Sequence, residues 1–208
     1  MINVIGLGVG HLDYFSEAGK KLLKTSEIVI GGKRQLEDIE ILLNNNIEKY
    51  YLSKLDEMKM YINKNINKEI SIIVSGDTGY YSLLSFIKKN FSENLIRVIP
   101  GLSSFQYLFG KLCDTWEEYS FCSLHGRESD IIEILKNSKR GVILLTDKKN
   151  NPYIIGKKLL ENKIENIEII VGENLSYDDE KISRFFLSDI EKYNREFSIN
   201  VMVIKKCI

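Results

Sequence analysis

Residues 71–81 read SIIVSGDTGYY, and their reading decides the fold. Ile72-Ile73-Val74 is a short β-branched run that halts at Ser75-Gly76-Asp77, and the spacing predicts a helix starting near Gly79. Such a run, bounded by glycine, is the pattern of a parallel strand buried on both faces. Loops at the carboxyl ends of these strands are where open α/β sheets hold ligands. Two further stretches have the same form. Residues 2–4 lead into Gly6-Leu7-Gly8-Val9-Gly10, and residues 95–99 lead into Pro100-Gly101-Leu102-Ser103-Ser104. Three such loops on one sheet edge make one pocket.

Working outward, the first half alternates strand and helix with short connections. Strands are expected at 2–5, 27–30, 47–52, 70–74 and 95–99. Helices are expected at 16–24, with Ala18, Leu22 and Leu23 inward, and at 33–43, with Leu36, Ile39, Leu42 and Leu43 at helical spacing. Others are expected at 53–66, capped by Ser53 and packed through Leu55, Met58, Tyr61 and Ile62, and at 80–90 and 103–112. That alternation implies a parallel, doubly wound sheet. After Cys113-Asp114-Thr115-Trp116 the pattern changes. Strands are expected at 119–124, 141–146, 167–171, 181–187 and 197–204, with helices at 130–137 and 152–162. No long helix separates the last two strands, so antiparallel pairing is expected there. The chain reads as two α/β domains, 1–113 and 114–208, mainly parallel in the first and mixed in the second.

Lysine plus arginine and aspartate plus glutamate balance at 29 each in 208 residues, so nothing asks for nucleic acid or an anionic membrane. No basic leader precedes an apolar core at the N-terminus, and no apolar run nears the roughly 20 residues that span a bilayer. Three cysteines at unrelated spacings, Cys113, Cys122 and Cys207, point to reduced thiols and a cytoplasmic location.

The Gly6-x-Gly8-x-Gly10 turn fits a dinucleotide site poorly. His11 stands where that pattern needs its next glycine, and Gly31-Gly32 stands where it needs a ribose-binding acid. Asp77 either accepts hydrogen bonds from a ligand or caps the following helix. Ser103 or Ser104 caps the helix after the third loop, whose free N–H groups could hold a carboxylate or a purine edge. In SLHGR, residues 123–127, His125 and Arg127 follow a strand and could bind an anion or move a proton; an ordinary surface loop explains them equally well. Cys122-x-x-His125 has no second ligand pair at a usable spacing, and no metal is expected.

Taken together, VIGLGVG at 4–10, IVIGGKRQL at 28–36, VSGDTGYYSLL at 74–84 and VIPGLSSFQYLFGKL at 98–112 resemble the tetrapyrrole methylases. Trp116-Glu117, SLHGR at 123–127, LLTD at 144–147 and VGENLSYDDEKI at 171–182 extend the resemblance over nearly the whole chain. The IVIGG and SLHGR forms point to the branch that methylates C5 of a precorrin, with another ring position or a diphthine-synthase-like substrate as the alternative. Two positions depart from the family pattern, which commonly has proline at Val9 and at Thr78. The resemblance implies two domains with S-adenosylmethionine in the cleft between them, usually in a homodimer. It implies cofactor contacts at Leu7, Val9, Ser75, Gly76, Asp77, Tyr80, Ser103 and Ser104, and at Leu145, Thr146 and Leu175. An apolar trough with a cationic rim suits a ring bearing many carboxylates, and His11, His125 and Arg127 are the rim candidates. One cofactor pocket implies one methyl per turnover, with C15 left to a separate methyltransferase and decarboxylase.

Overall fold

In a computed structural model, residues 1–124, 126 and 129–207 are described. They fold as two compact units, Met1–Ser103 and Ser104–Ile208. The first holds β1 (Ile2–Gly6), α1 (Glu17–Thr25), β2 (Ile28–Gly31), α2 (Lys33–Asp38), β3 (Glu48–Tyr51), α3 (Leu55–Lys64), β4 (Ile70–Val74), α4 (Leu84–Asn90) and β5 (Ile96–Ile99). Its sheet has the order β3-β2-β4-β1-β5, with every pairing parallel. Side chains alternate along each strand, so Val4 and Ile72 enter one core and Ile5 and Ile73 the other. Both cores are mainly apolar and helix-covered, and every residue of β1, β2 and β4 is buried, which is why these strands are rich in Ile and Val; the buried polar residues Asn3 and Ser71 interrupt β1 and β4.

Several local expectations are corrected. The segment after β4 does not start a helix near Gly79; α4 begins at Leu84. Tyr81 takes φ 53°, a left-handed conformation that interrupts helical winding, and the Ser82 hydroxyl donates back to the Thr78 carbonyl. On α1 the buried residues are Gly19 and Leu23, Leu22 packs half-buried against the same core as expected, and Ala18 is exposed. The Phe15 ring lies where a Cβ at Gly19 would stand, at 2.7 Å, so this helix packs through a glycine. Leu55 is exposed, and α3 packs through Met58 and Ile62. Lys54 occupies the cap position of α3, while the Ser53 hydroxyl donates to Glu57 at 2.9 Å. The helix expected over 33–43 stops at Asp38 and finishes in a short 3-10 turn, Glu40–Leu42.

The second unit holds α5 (Ser104–Leu112), β6 (Tyr119–Ser123), α6 (Ile131–Asn137), β7 (Gly141–Leu145), α7 (Pro152–Glu161), β8 (Ile167–Glu173), β9 (Lys181–Phe186) and β10 (Asn200–Lys206). Its sheet order is β6-β7-β10-β8-β9. The β6–β7 pair is parallel, and β10 pairs antiparallel with both β7 and β8, as does β9 with β8. The sheet is mixed, as expected, but the last two strands do not pair with each other as the sequence reading has it: β8 lies between them, antiparallel to both. Two side-chain caps start helices here: Asp130 accepts from the N–H groups of Ile132 and Glu133, and Asn151 accepts from that of Ile154 just before Pro152. Helix α5, counted with the first half by sequence pattern, packs here with β10. Among the described residues no helix is long and apolar enough to cross a membrane.

Candidate functional site

Strand order decides the site. Because β1 lies between β4 and β5, the loops after these three strands are neighbours at the carboxyl edge of the first sheet. Their backbones are tied together. The Leu7 N–H donates to the Val74 carbonyl at 2.8 Å. Gly8 and Gly76 exchange hydrogen bonds, at 3.2 Å from Gly8 N and 2.8 Å from Gly76 N. The third loop presses against both: a Cβ on Gly101 would stand 2.2 Å from the Gly76 carbonyl oxygen and 2.8 Å from Gly6 C. No residue with a side chain fits at Gly101 unless the three loops part.

Asp77 is neither a helix cap nor an idle acid. Its Oδ1 accepts from the Gly79 N–H at 2.7 Å, and its Oδ2 accepts from the Gly101 N–H at 3.3 Å. The first bond closes a local turn and the second ties the β4 loop to the β5 loop. Ser103 is buried at the position before α5, and Tyr80 is half-buried beside Tyr81, with ring centroids 4.9 Å apart. The side chains of Leu7 and Val9 are buried, so the first loop offers a ligand its backbone. Space remains at Gly76, φ +65°, where an added Cβ would meet only Ser103 Cα, at 3.9 Å. The edge is thus lined by glycines and by backbone donors and acceptors, with open space beside Gly76.

Of the three expected rim residues, His11 lies among the described residues. His11 caps the short 3-10 turn Leu12–Tyr14: its Nδ1 accepts from the Asp13 N–H at 3.2 Å and lies 3.5 Å from the Asp13 carboxylate. His125 and Arg127 lie outside the described residues. Two residues that the sequence reading passed over reach the same edge from the start of α2. Arg34 and Gln35 each donate to the Ser75 hydroxyl oxygen, both at 2.8 Å. The signal for them was KRQ directly after the Gly31-Gly32 stop, inside a motif already noted for its glycines.

In the second unit, Leu145 ends β7, paired with Val201 and with Ser123. Thr146 is buried and donates to the Asn200 side-chain carbonyl at 2.7 Å. Ser104 opens α5. Leu175 is buried against Gly172, between two left-handed residues, Asn174 (φ 45°) and Ser176 (φ 75°). Carboxylates hold both ends of that loop. Glu173 accepts from both terminal nitrogens of Arg195, at 2.9 Å for the Nη1 contact, and from the Ser198 N–H at 3.1 Å. Burial alone would raise the Glu173 carboxyl, but the Arg195 guanidinium and the Ser198 N–H hold it below the usual range. At the other end Glu180 accepts from the Ser176 N–H at 2.8 Å and pairs with Lys111 at 3.2 Å. Burial, with help from its bond to Glu180, pushes the Tyr107 phenol up to about 12. None of this clamp was anticipated, since glutamate and arginine 22 residues apart carry no local signal.

Residues 1–191 match the sequence profile of the Tetrapyrrole (Corrin/Porphyrin) Methylases. The chain belongs to the tetrapyrrole methylases. A curated relative, the probable cobalt-precorrin-7 C(5)-methyltransferase of Methanocaldococcus jannaschii, is 33% identical to this methylase over 95% of the chain and 94% of that protein. The crystal structure of a precorrin-6Y methylase from Archaeoglobus fulgidus superposes with a TM-score of 0.76 at 19% identity, covering 100% of this chain and 99% of that one. A uroporphyrin-III C-methyl transferase from Thermus thermophilus, complexed with S-adenyl homocysteine, gives 0.77 at 16% identity, covering 98% and 96%. The two structural likenesses bear on the fold: a parallel α/β sheet and a mixed second sheet, as in this methylase.

Proposed function

We propose that this tetrapyrrole methylase transfers a methyl group from S-adenosylmethionine to C5 of cobalt-precorrin-7, in cobalamin synthesis. The observation that carries the reading is the backbone-tied junction of the Gly8, Gly76 and Gly101 loops, in a chain of this family. The substrate and the carbon are proposed from the similarity to the Methanocaldococcus protein.

When bound, the donor supplies a sulfonium methyl that is already activated, so the chain has no nucleophile to provide. Its residues bind and orient. In this reading the backbones of Leu7 and Val9 line one side of the donor, and Ser75, Gly76, Asp77, Tyr80 and Ser103 line the other. Asp77 keeps the β4 and β5 loops in register, so that their N–H and C=O groups hold fixed positions toward the donor. Fixed orientation of the reacting carbon along the methyl–sulfur axis contributes on the order of 7–11 kcal/mol to such a reaction. We further propose a cytoplasmic homodimer, with C15 modified by a separate methyltransferase and decarboxylase.

The test is direct. Purified protein is incubated with S-adenosylmethionine and cobalt-precorrin-7, and the product is read by mass spectrometry and NMR. A gain of one methyl at C5, with every carboxylate kept, supports the reading. A methyl at another carbon favours another methylase of the family, and no S-adenosylhomocysteine binding by calorimetry overturns the assignment altogether.

A further inference from the structure

The first sheet has a second edge. At the amino ends of its strands lies a cleft of about 360 Å³. Ser26 and Glu27 wall it just before β2, Asn44 to Glu48 at the entry to β3, and Lys68 just before β4. These strands have four or five residues, at roughly 3.3 Å each, so the cleft stands on the order of 15 Å from the glycine loops at the carboxyl ends. Methyl transfer gives it no task. Its volume is at the small end of ligand cavities, which suits a molecule far smaller than a tetrapyrrole.

The backbone fixes the walls. The Glu27 N–H donates to the Glu69 carbonyl at 2.9 Å, and the Glu48 N–H to the Glu27 carbonyl at 3.0 Å. The Ile47 N–H donates to the Asn44 carbonyl at 3.1 Å, closing a turn. That turn leaves the Asn44 and Asn46 carboxamides exposed, with no hydrogen bond to any described residue.

The charges of the cleft are unevenly matched. Glu48 is occupied: it accepts from the Tyr61 hydroxyl and lies 3.5 Å from the Lys68 ammonium. Glu27 is exposed, and its carboxylate accepts one bond, from the Glu69 N–H at 2.9 Å. No cation among the described residues pairs with it. The core behind the cleft is short of donors as well. The buried Ser26 hydroxyl meets that of Ser71 at 2.6 Å, and Asn3, paired with Ser71 across the strands, keeps its Oδ1 buried without a hydrogen-bond partner. What this corner lacks is a positively charged donor. A metal cage is not built here: Ca²⁺ takes six to eight oxygens, and among the described residues no three acidic, histidine or cysteine side chains gather to hold an ion.

We propose that the cleft binds a small organic ammonium ligand, such as a diamine. The Glu27 carboxylate takes the charge, and the Asn44 and Asn46 side-chain carbonyls accept further N–H groups of the same ligand.

Putrescine is titrated into the protein by calorimetry and by amide NMR, with 1,4-butanediol as its uncharged match. Putrescine is expected to bind, the diol about tenfold more weakly or worse, with shifts centred on residues 26–28 and 44–48. Glu27→Gln keeps a carbonyl oxygen for the Glu69 N–H and should weaken putrescine by about tenfold or more, the size of one charge-assisted hydrogen bond. Asn44→Ala/Asn46→Ala should weaken it by about three- to tenfold. Lys68→Ala, which removes a competing cation, should bind it at least as tightly as wild type. S-adenosylhomocysteine affinity should stay within about twofold in every variant. Melting temperatures check the fold; if Glu27→Gln melts early, the comparison of putrescine with the diol on wild type, together with the shift map, decides alone. Four results overturn the proposal: no putrescine binding by wild type at about 10 mM, equal binding of the diol, shifts confined to other residues, or full affinity in a folded Glu27→Gln. A parallel loss of S-adenosylhomocysteine in Glu27→Gln overturns the separation of this cleft from the glycine loops.

Discussion

The carboxylate of Asp77 and the backbone N–H of Gly101, 24 residues apart in sequence, are joined by a hydrogen bond of 3.3 Å. Through it one side chain sets the spacing between two of the three loops on which the site is built. Asp77 thereby acts on the ligand edge through loop geometry.

Substituting Asp77 separates its two bonds. Asp77→Ala removes both and should cost about 1.5–3 kcal/mol of stability, the range for hydrogen bonds to a charged group. Asp77→Asn keeps one carbonyl oxygen for the Gly79 N–H, but its amide nitrogen cannot accept from Gly101. The expected outcome is a smaller stability loss for Asn than for Ala, with S-adenosylhomocysteine affinity reduced in both. Urea melts and calorimetry on the same preparations measure this. Full affinity in Asp77→Asn would show that the link to Gly101 is dispensable.

Two glycine-to-alanine changes should have opposite signs. At Gly101 the new methyl meets the Gly76 carbonyl and Gly6 backbone, neither of which can rotate away, so Gly101→Ala should cost about 1–3 kcal/mol and weaken cofactor binding. At Gly110, exposed on α5 and with nothing within 4 Å of an added Cβ, alanine should stabilise by about 0.5–1 kcal/mol. Thermal melts of the two variants decide it, and a neutral Gly101→Ala would show that the loops are not closely tied.

In the second unit, Arg195→Ala leaves the Glu173 carboxylate buried without its guanidinium partner. Such a loss typically costs about 3–5 kcal/mol. The double variant Arg195→Ala/Glu173→Gln removes the uncompensated charge as well and should recover part of that cost. Equilibrium unfolding of the set tests this, and a double variant as unstable as the single would count against it.

Asp114 provides a pH signature. Burial works to raise its carboxyl, but Lys205 and Arg140, each 3.0 Å away, together with the Thr115 N–H, hold it down at about 2. A carboxylate depressed in the folded state adds stability above its unfolded pKa, near 4, and loses it as pH falls through the folded value. Asp114→Asn should therefore cost about 2 kcal/mol at pH 6, and the gap to wild type should shrink visibly by pH 3. Urea midpoints at the two values read it out; a gap that stays constant with pH would rule out this ionic contribution.

The sequence alone carried the strands of the first sheet, its parallel doubly wound character and the three glycine loops, because β-branched runs and glycine stops are local signals of two-face burial and tight turning. It carried the mixed character of the second sheet too, but not its order: the last two strands are kept apart by β8, which pairs with both. Helix starts were less legible: Thr78-Gly79 could begin a helix on spacing alone, and only the left-handed turn at Tyr81 delays it to Leu84. What tertiary structure decided is non-local. Placing β1 between β4 and β5 made neighbours of three loops spread over nearly 100 residues. The same packing set Arg34 on Ser75, Asp77 on Gly101, and Arg195 against a buried Glu173. Each pair depends on how crossover helices return strands to the sheet and on which carboxylates the core leaves to be neutralised, and neither is written in the spacing of residues along the chain.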